Sequence, residues 1–466
     1  MAWAGLIVGL LFATTAHAQS GVQSTRVTLS AAELQAQGKA ATGLVVEEQV
    51  QLRAGRQRGA ILSPQIEMPF AFNAVAPHWA AQVPDDARIE VAIRTSVDGT
   101  TWTRWTPTGH AAPVASTRAD GTPNPHAGDT AADPVLAPPE SRYVQLRLTL
   151  HRGAASPALR RLSLYVVATE APAKRPSPND ESDATPRIYA RDEWGAQPPR
   201  MGYRYARATH LAIHHTASTS AGTADTWDAC AAAVRAIQDV HMNTRGWIDI
   251  GYNYLICQTG DVFQGREDGN DQRDVVAAHD AHNEGSVGVS GLGYFHPPHN
   301  QQPTAALLDG FTDLFTWIAG RRDIDPNGTS YYAGYGAQVA NVYGHRDVRA
   351  TACPGDLLYT ERLTVRKRMA DRLDIEETPG DVAVSGNYPN PFRTATRFAV
   401  ELPAPAPVTL TVYDALGRHV ATRRFGRRAA GVHTLTLRTR GWTSGAYFYR
   451  VSAGEHEDTG SMRLVR

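Results

Sequence analysis

The chain has 466 residues, 42% apolar and 20% charged, which is ordinary for folded soluble domains and too long for one core, so two or three domains are expected. Lys+Arg and Asp+Glu are equal at 46 each, so no global basic field points to nucleic acid, and no nucleic-acid partner is expected.

Met1–Thr15 is apolar, "MAWAGLIVGLLFATT", and Ala16-His17-Ala18 follows with small residues at −3 and −1. That is the pattern of a secretory signal over 1–18, cleaved before Gln19. No later stretch is apolar over about 18 residues, so no transmembrane segment is expected after cleavage. Residues 19–168 carry alternating runs, "RIEVAIRTS", "TWTRWTP", "YVQLRLTL" and "RRLSLYVV", broken by turn signals such as "VDGT". Period-2 alternation predicts an antiparallel β-sandwich accessory domain. Within it, "DGTTWTRW" resembles a hairpin edge of discoidin-like, carbohydrate-binding jelly rolls; a spacer or a wall-binding domain fits as well.

Residues 169–187, "TEAPAKRPSPNDESDATPR", are Pro-rich and nearly free of large apolar side chains, which marks a linker. Residues 188–375 interleave strands and helices, predicting an α/β module around a mixed sheet. "THLAIHH" reads as a strand, and "YNYLICQ" and "VFQGR" read as two strands around a Gly-Asp turn. "TWDACAAAVRAIQDVHMN" reads as a helix with Cys230, Val234, Ile237 and His241 on one face. "SVGVSGLGYF" is a further strand. "PTAALLDGFTDLFTWIAG" is an amphipathic helix with a stripe of Leu307, Leu308, Phe311, Leu314, Phe315 and Ile318, started by Pro303 and stopped by Gly320. A second linker, 376–384, contains "EETPGD", and 385–466 returns to short strands expected to form a small Ig-like β-sandwich.

Three cysteines, Cys230, Cys257 and Cys353, cannot all pair internally in an exported chain, so at least one has another role. Cys353 stands in "GHRDVRATACPGD", eight residues after His345, and the Pro-Gly that follows favours a tight turn. A catalytic zinc site takes three protein ligands and leaves a position for water. One loop can offer His345 and Cys353, and the strand end of "LAIHHTAS" offers His214 or His215 as the third. Alone, the His-His pair reads more readily as surface or hydrogen-bonding, and the His-x7-Cys spacing suits a buried thiol equally well. Together, beside an unpaired cysteine, they favour zinc.

The middle module also resembles the zinc N-acetylmuramoyl-L-alanine amidases that share a fold with peptidoglycan recognition proteins and phage-type lysozyme. The resemblance runs in order through "RDEWGA", "LAIHHTA", "CAAAVRAIQDVHM", "GWIDIGYNYLI", "TGDVFQGR", "SVGV" and "GHRDVRATACPGDLLY". It implies zinc on His214, His345 and Cys353, a catalytic tyrosine at Tyr252, and a catalytic contribution from Thr351. It implies hydrolysis of the bond between N-acetylmuramic acid and L-alanine. It also suggests His215, His279 and Asn283 as substrate contacts, with a structural hydrogen bond the alternative for His215. His241 is expected to pack in the core, and Trp247 and Asp249 to shape the loop before Tyr252. Cys230 matches a family disulfide cysteine whose usual upstream partner is absent; the expectation is two buried thiols, with pairing to Cys257 the alternative.

The C-terminal module, with "NYPNPFRTATRFAVELP", "VYDALGRHV" and "GAYFYRV" ahead of "MRLVR", resembles the type A sorting domain of the type IX secretion system. The resemblances together imply a secreted or outer-surface zinc amidase of a Gram-negative-type bacterium. Its partners would be peptidoglycan or muropeptides and the type IX machinery. The alternatives are a non-catalytic peptidoglycan-binding protein, which in this family typically lacks the cysteine ligand, and a surface adhesin.

Overall fold

The computed structural model describes residues 22–465 except 32, 35–38, 109–110, 115, 117, 119–121, 125, 170–185, 219–220, 267–271, 278, 280–281, 298, 350, 376–382, 385–386, 388–389, 391, 403 and 455. The expected signal sequence and most of both expected linkers lie outside the described residues.

In the N-terminal module the long strand Ile66–Gln82 pairs antiparallel with Val135–His151 on one side and Ala158–Thr169 on the other. Val22–Ser30 adds to Ala158–Thr169, and Arg88–Ser96 adds to Val135–His151. The alternation read in "YVQLRLTL" buries Val144, Leu146, Leu148 and Leu150 in a core shared with Leu29, Ile66, Phe72, Leu162 and Leu164.

In the middle module the elements are numbered in chain order. Strands β1 (Ile188–Tyr189), β2 (His210–His215), β3 (Tyr254–Ile256), β4 (Val262–Gln264), β5 (Ser286–Gly291) and β6 (Val342–Gly344) form a sheet in the order β1-β4-β3-β5-β2-β6. Only the β3–β4 pairing is antiparallel, across the Gly-Asp turn. The other pairings are parallel, so the sheet is mixed, and both faces are covered. Helices α2 (Ala305–Arg322) and α3 (Asp356–Arg372) cover one face, where Leu211, Ile213, Tyr254, Ile256 and Val289 meet Leu307, Phe311, Phe315 and Met369. Helix α1 (Trp227–Asn243) covers the other, where Leu255 and Phe263 meet Val234 and Ile237.

Thr226 caps α1, its hydroxyl accepting from the Ala229 N–H at 3.3 Å, and Thr304 caps α2 in the same way through the Leu307 N–H at 3.1 Å. Helix α2 does not stop at Gly320. It runs on to Arg322, and Asp323 ends it in the left-handed region at φ 58°, a conformation that Asp tolerates.

Cys230 on α1 and Cys257 just after β3 form a disulfide with Cα atoms 6.0 Å apart. This corrects the expectation of two free thiols. The helix lies flat on the sheet and sets these two positions face to face, a proximity that arises only in three dimensions. Helix α1 is also buried on a second side. Ala236 and Val240 pack against Val22, Ala74, Ala76, Tyr165 and Val167 of the N-terminal module, so the expected single apolar face becomes two.

The C-terminal module has a sheet of Ala383–Val384, Ala395–Leu402 and Gly431–Arg438 and a second of His419–Arg428, Ala406–Asp414, Gly445–Ala453 and His456–Leu464. The two share one core, including Phe398, Leu410, Leu437 and Val451. Ala383 and Val384, placed in the linker by composition, pair with Glu401 and Val400 and so belong to this module.

Candidate metal centre

Side chains alternate along a strand, so β2 sends Leu211, Ile213 and His215 to one face of the sheet and His214 to the other. His215 is 4% exposed and lies among the rings of Tyr294, Phe295 and His296. His214 is 1% exposed at the carboxyl end of β2 and shares its side with Tyr252, ring to ring at 5.7 Å. Strand parity therefore separates the two histidines and leaves one of them beside the cysteine.

The turn after the neighbouring strand β6 carries His345, whose ring centroid is 4.6 Å from that of His214. Cys353 reaches the same point, with its Sγ 3.6 Å from His214 Nδ1. The three ligand atoms of His214, His345 and Cys353 lie within 4.8 Å of one another. Tetrahedral zinc with bonds of ~2.05 Å to nitrogen and ~2.3 Å to sulfur sets adjacent N and S ligands ~3.5 Å apart, so this donor set fits the ion. Burial, reinforced by the neighbouring His345, His279 and His215, holds the His214 pKa well below the ordinary histidine value. The imidazole is then neutral, the form that ligates a metal.

Two further groups hold His214 and Cys353 in place. His279, 6% exposed, meets His214 Nε2 through its Nδ1 at 2.9 Å, and its Nε2 meets Ser286 Oγ at 3.1 Å. That contact leaves Nδ1 of His214 for the cluster. His279 thus sits behind His214. The Cys353 Sγ accepts the His215 backbone N–H at 3.4 Å.

The loop bearing His345 and Cys353 is braced by the two residues between "GH" and "V". Asp347 accepts from the Gly344 N–H at 2.9 Å, the Tyr359 hydroxyl at 2.5 Å and Arg362 at 2.7 Å. Arg346 pairs with Asp356 at 2.9 Å and donates to the Ala352 carbonyl. Sequence reasoning used "GHRD" only for its spacing and missed these two. Gly355 has φ 89°, and a Cβ there would lie 2.7 Å from the Phe295 carbonyl carbon, so the turn after Cys353 admits only glycine.

Tyr252 is half-buried, and burial, with the charges of Asp133 and Cys353 next in weight, raises its hydroxyl pKa far above the ordinary tyrosine value. The hydroxyl stays protonated and able to donate. Thr351 spends its Oγ1 accepting the Cys353 N–H at 3.2 Å, a contact that shapes the turn. Asn283 is half-buried ahead of β5, and its carbonyl accepts from Ser286 Oγ at 3.3 Å. His241 is 3% exposed and its Nδ1 accepts the Gly251 N–H at 3.0 Å, directly before Tyr252. Asp249 is fully buried between Arg191 at 2.8 Å and Gln238 at 2.6 Å.

Among the described residues a second donor cluster, His78, His126 and Asp129, lies in the N-terminal module. There Arg161 already holds the Asp129 carboxylate at 2.6 Å and Arg26 touches His126 Nε2. Two guanidinium cations occupy the surroundings in which a metal ion would have to sit, so the cluster is a partly buried ionic network.

Residues 204–356 match the family model described as N-acetylmuramoyl-L-alanine amidase. Residues 12–167 match a model described as Peptidase C39 N-terminal domain, and 387–464 match the Secretion system C-terminal sorting domain. Among curated relatives, peptidoglycan-recognition protein SC2 of Drosophila simulans is 32% identical over 176 residues, covering 37% of this chain and 83% of the relative. Peptidoglycan recognition protein 1 of Bos taurus is 31% identical over 176 residues, covering 37% and 80%. Solved structures that match include wild-type Drosophila PGRP-LB, at 30% identity and TM-score 0.30, covering 38% of this chain and 91% of that one. Peptidoglycan recognition protein LE in complex with tracheal cytotoxin, a monomeric diaminopimelic acid-type peptidoglycan, matches at 27% identity and TM-score 0.32, covering 38% and 92%.

Proposed function

Because the chain belongs to the family of N-acetylmuramoyl-L-alanine amidases and peptidoglycan recognition proteins and ends in a type IX sorting domain, we propose that it is a secreted, zinc-dependent peptidoglycan amidase. It cleaves the amide between the lactyl group of N-acetylmuramic acid and L-alanine of the stem peptide. The observation that carries this reading is the convergence of His214, His345 and Cys353, with Tyr252 beside them. When bound by these three residues, zinc supplies Lewis acidity and an activated water.

The chain's own groups do the rest. The Tyr252 hydroxyl, kept protonated by burial, donates to the carbonyl oxygen as negative charge develops there. His279 orients His214, and the Asp347 and Arg346 contacts fix the loop that carries the other two ligands. Thr351 acts mainly by shaping the cysteine turn. Export proceeds through a signal over 1–18, and the sorting domain carries the chain onward to the cell surface or beyond it. The N-terminal module serves as an accessory β-sandwich and the C-terminal one as an Ig-like sandwich.

The relatives are named as recognition proteins, which favours a second reading, binding without cleavage. The two separate in one assay. The full chain is incubated with purified peptidoglycan, with and without a chelator, and new L-alanine N-termini are counted. Chelator-sensitive release that disappears in Cys353→Ser is expected. Release that persists in metal-free Cys353→Ser sinks the zinc mechanism, and sacculus binding without release favours recognition.

A further inference from the structure

The corner Asp133–Pro134 of the N-terminal module, between strands Thr130–Ala132 and Val135–His151, reaches the candidate site of the middle module. Ser218 Oγ, three residues past His215, donates to the Pro134 carbonyl at 3.1 Å. Asp133 Oδ1 pairs with Arg245 Nη2 at 2.6 Å, and both side chains are nearly buried, at 12% and 8% exposure. A small cavity is bordered by Asp133 and Pro134 from one module and by Thr216, Ser218, His241 and Tyr252 from the other.

Arg245 begins the loop that leads from α1 to Tyr252. Its guanidinium lies 5.4 Å from the Trp247 ring centroid, and Trp247 lies 4.7 Å from the His241 ring. The Trp247 N–H donates to the His241 carbonyl at 3.0 Å, and the His241 ring accepts the Gly251 N–H at 3.0 Å. Gly246, at φ 76°, lies under Arg118 and Asn124 of the N-terminal module; a Cβ added there would be 3.1 Å from Asn124 Nδ2. The loop is thus pinned from outside its own module at Arg245 and Gly246, and the pins lead through Trp247 and His241 to the residue before Tyr252.

We propose that the N-terminal module completes the amidase cleft, with Asp133 as a positioning residue that, through Arg245, holds the 244–251 loop so that Tyr252 keeps its place beside His214. The proposal rests on the amidase reading. A nearly buried ion pair that loses one partner leaves an unpaired charge, and the loop must move to solvate it. A displacement near 1 Å at a reacting group costs on the order of 100-fold in rate.

The test compares the wild-type full chain with Asp133→Asn and Asp133→Ala, each at matched zinc content. Release of L-alanine termini gives kcat and KM, and hydrogen exchange follows the amides of Trp247 and Gly251. Expected are a fall in kcat of about 10- to 100-fold with KM changed less than about 3-fold, and loss of protection at both amides, milder in Asp133→Asn than in Asp133→Ala. Ser218→Ala, which removes the bond to Pro134 together with the Ala221 N–H contact to the same hydroxyl but leaves the Asp133–Arg245 pair intact, serves if the Asp133 variants do not fold, and is expected to lower kcat and loosen the same amides. Folded variants with kcat within about 3-fold of wild type, or with loosened amides and unchanged turnover, overturn the proposal. A wild-type chain that releases no L-alanine ends fails the amidase reading instead, and the exchange data still decide whether Asp133 holds the loop.

Discussion

Replacing both Cys230 and Cys257 by alanine removes the staple between α1 and the sheet while leaving Cys353 untouched. The disulfide spans a sequence separation of 27 residues, both ends fully buried. For a closed loop of that size, the loss of chain entropy in the unfolded state is worth about 3.5 kcal/mol. A middle module of this size shifts its melting temperature by roughly 2–4 °C per kcal/mol, so a fall of about 7–14 °C is expected. The assay is calorimetry or denaturant unfolding of the oxidised chain against the double variant, with thiol titration confirming that wild type carries one free cysteine. Wild type with one free thiol and a double variant within about 1 kcal/mol of it would refute the loop-entropy argument. Wild type with three free thiols would refute the bond itself.

The N-terminal module loses stability on acidification. Burial, followed by Arg26, His126 and Arg161, pushes the His78 pKa down to about 3, and Asp129, 3.5 Å away, is shared with Arg161. The unfolded chain takes up this proton near pH 6.5 and the folded chain does not. Stability is therefore complete above about 6.5 and falls, by at most ~1.4 kcal/mol per pH unit from this residue, as pH drops toward the folded value. His78→Asn is expected to flatten that slope in denaturant titrations between about pH 4 and 6.5; an unchanged slope refutes the assignment. Separately, Asp347→Ala frees the His345 loop from three contacts and is expected to weaken zinc binding roughly 10- to 100-fold in a chelator competition. Affinity within about 2-fold of wild type would show that the loop holds itself.

The cysteine and histidine in "GHRDVRATACPGD" drew notice because their types and spacing carry chemistry wherever they occur. The choice between His214 and His215 was harder, because a strand buried on both faces reads as apolar throughout and gives no parity. The family resemblance points to His214, and the packing of Ile213 against α2 and α3 gives the physical reason, since it puts His215 on the helix-covered side and His214 on the other. The disulfide depended on a helix lying across a strand 27 residues away in sequence, which no spacing rule encodes. The second buried face of α1 did leave a trace: "ACAAAVRAI" is small and apolar nearly all round, the mark of a helix covered on two sides. Asp133 left none, since a lone acidic residue before a proline is ordinary in a surface turn.

The two junctions of the chain differ in kind, and that difference predicts how its parts separate. Between the N-terminal and middle modules, Ala236 and Val240 of α1 share an apolar cluster with Tyr165 and Val167, and a nearly buried ion pair lies at its edge. Removing either module would expose that cluster to water, at about 25 cal/mol per Å² of apolar surface. The C-terminal module keeps its core to itself. Among the described residues, its ion pairs with the rest are Arg393–Asp86 at 3.1 Å and Arg397–Asp356 at 3.4 Å, both at the surface. Such pairs are worth about 0–1 kcal/mol and weaken with salt. Cleavage between residues 376 and 382, which would release the sorting domain, is therefore expected to shift the melting of the remaining chain by less than about 3 °C. Calorimetry of the cleaved and intact chains measures this directly. A fall of more than about 5 °C would mean that the sorting domain buttresses the amidase body, and the separation inferred from its private core would be wrong.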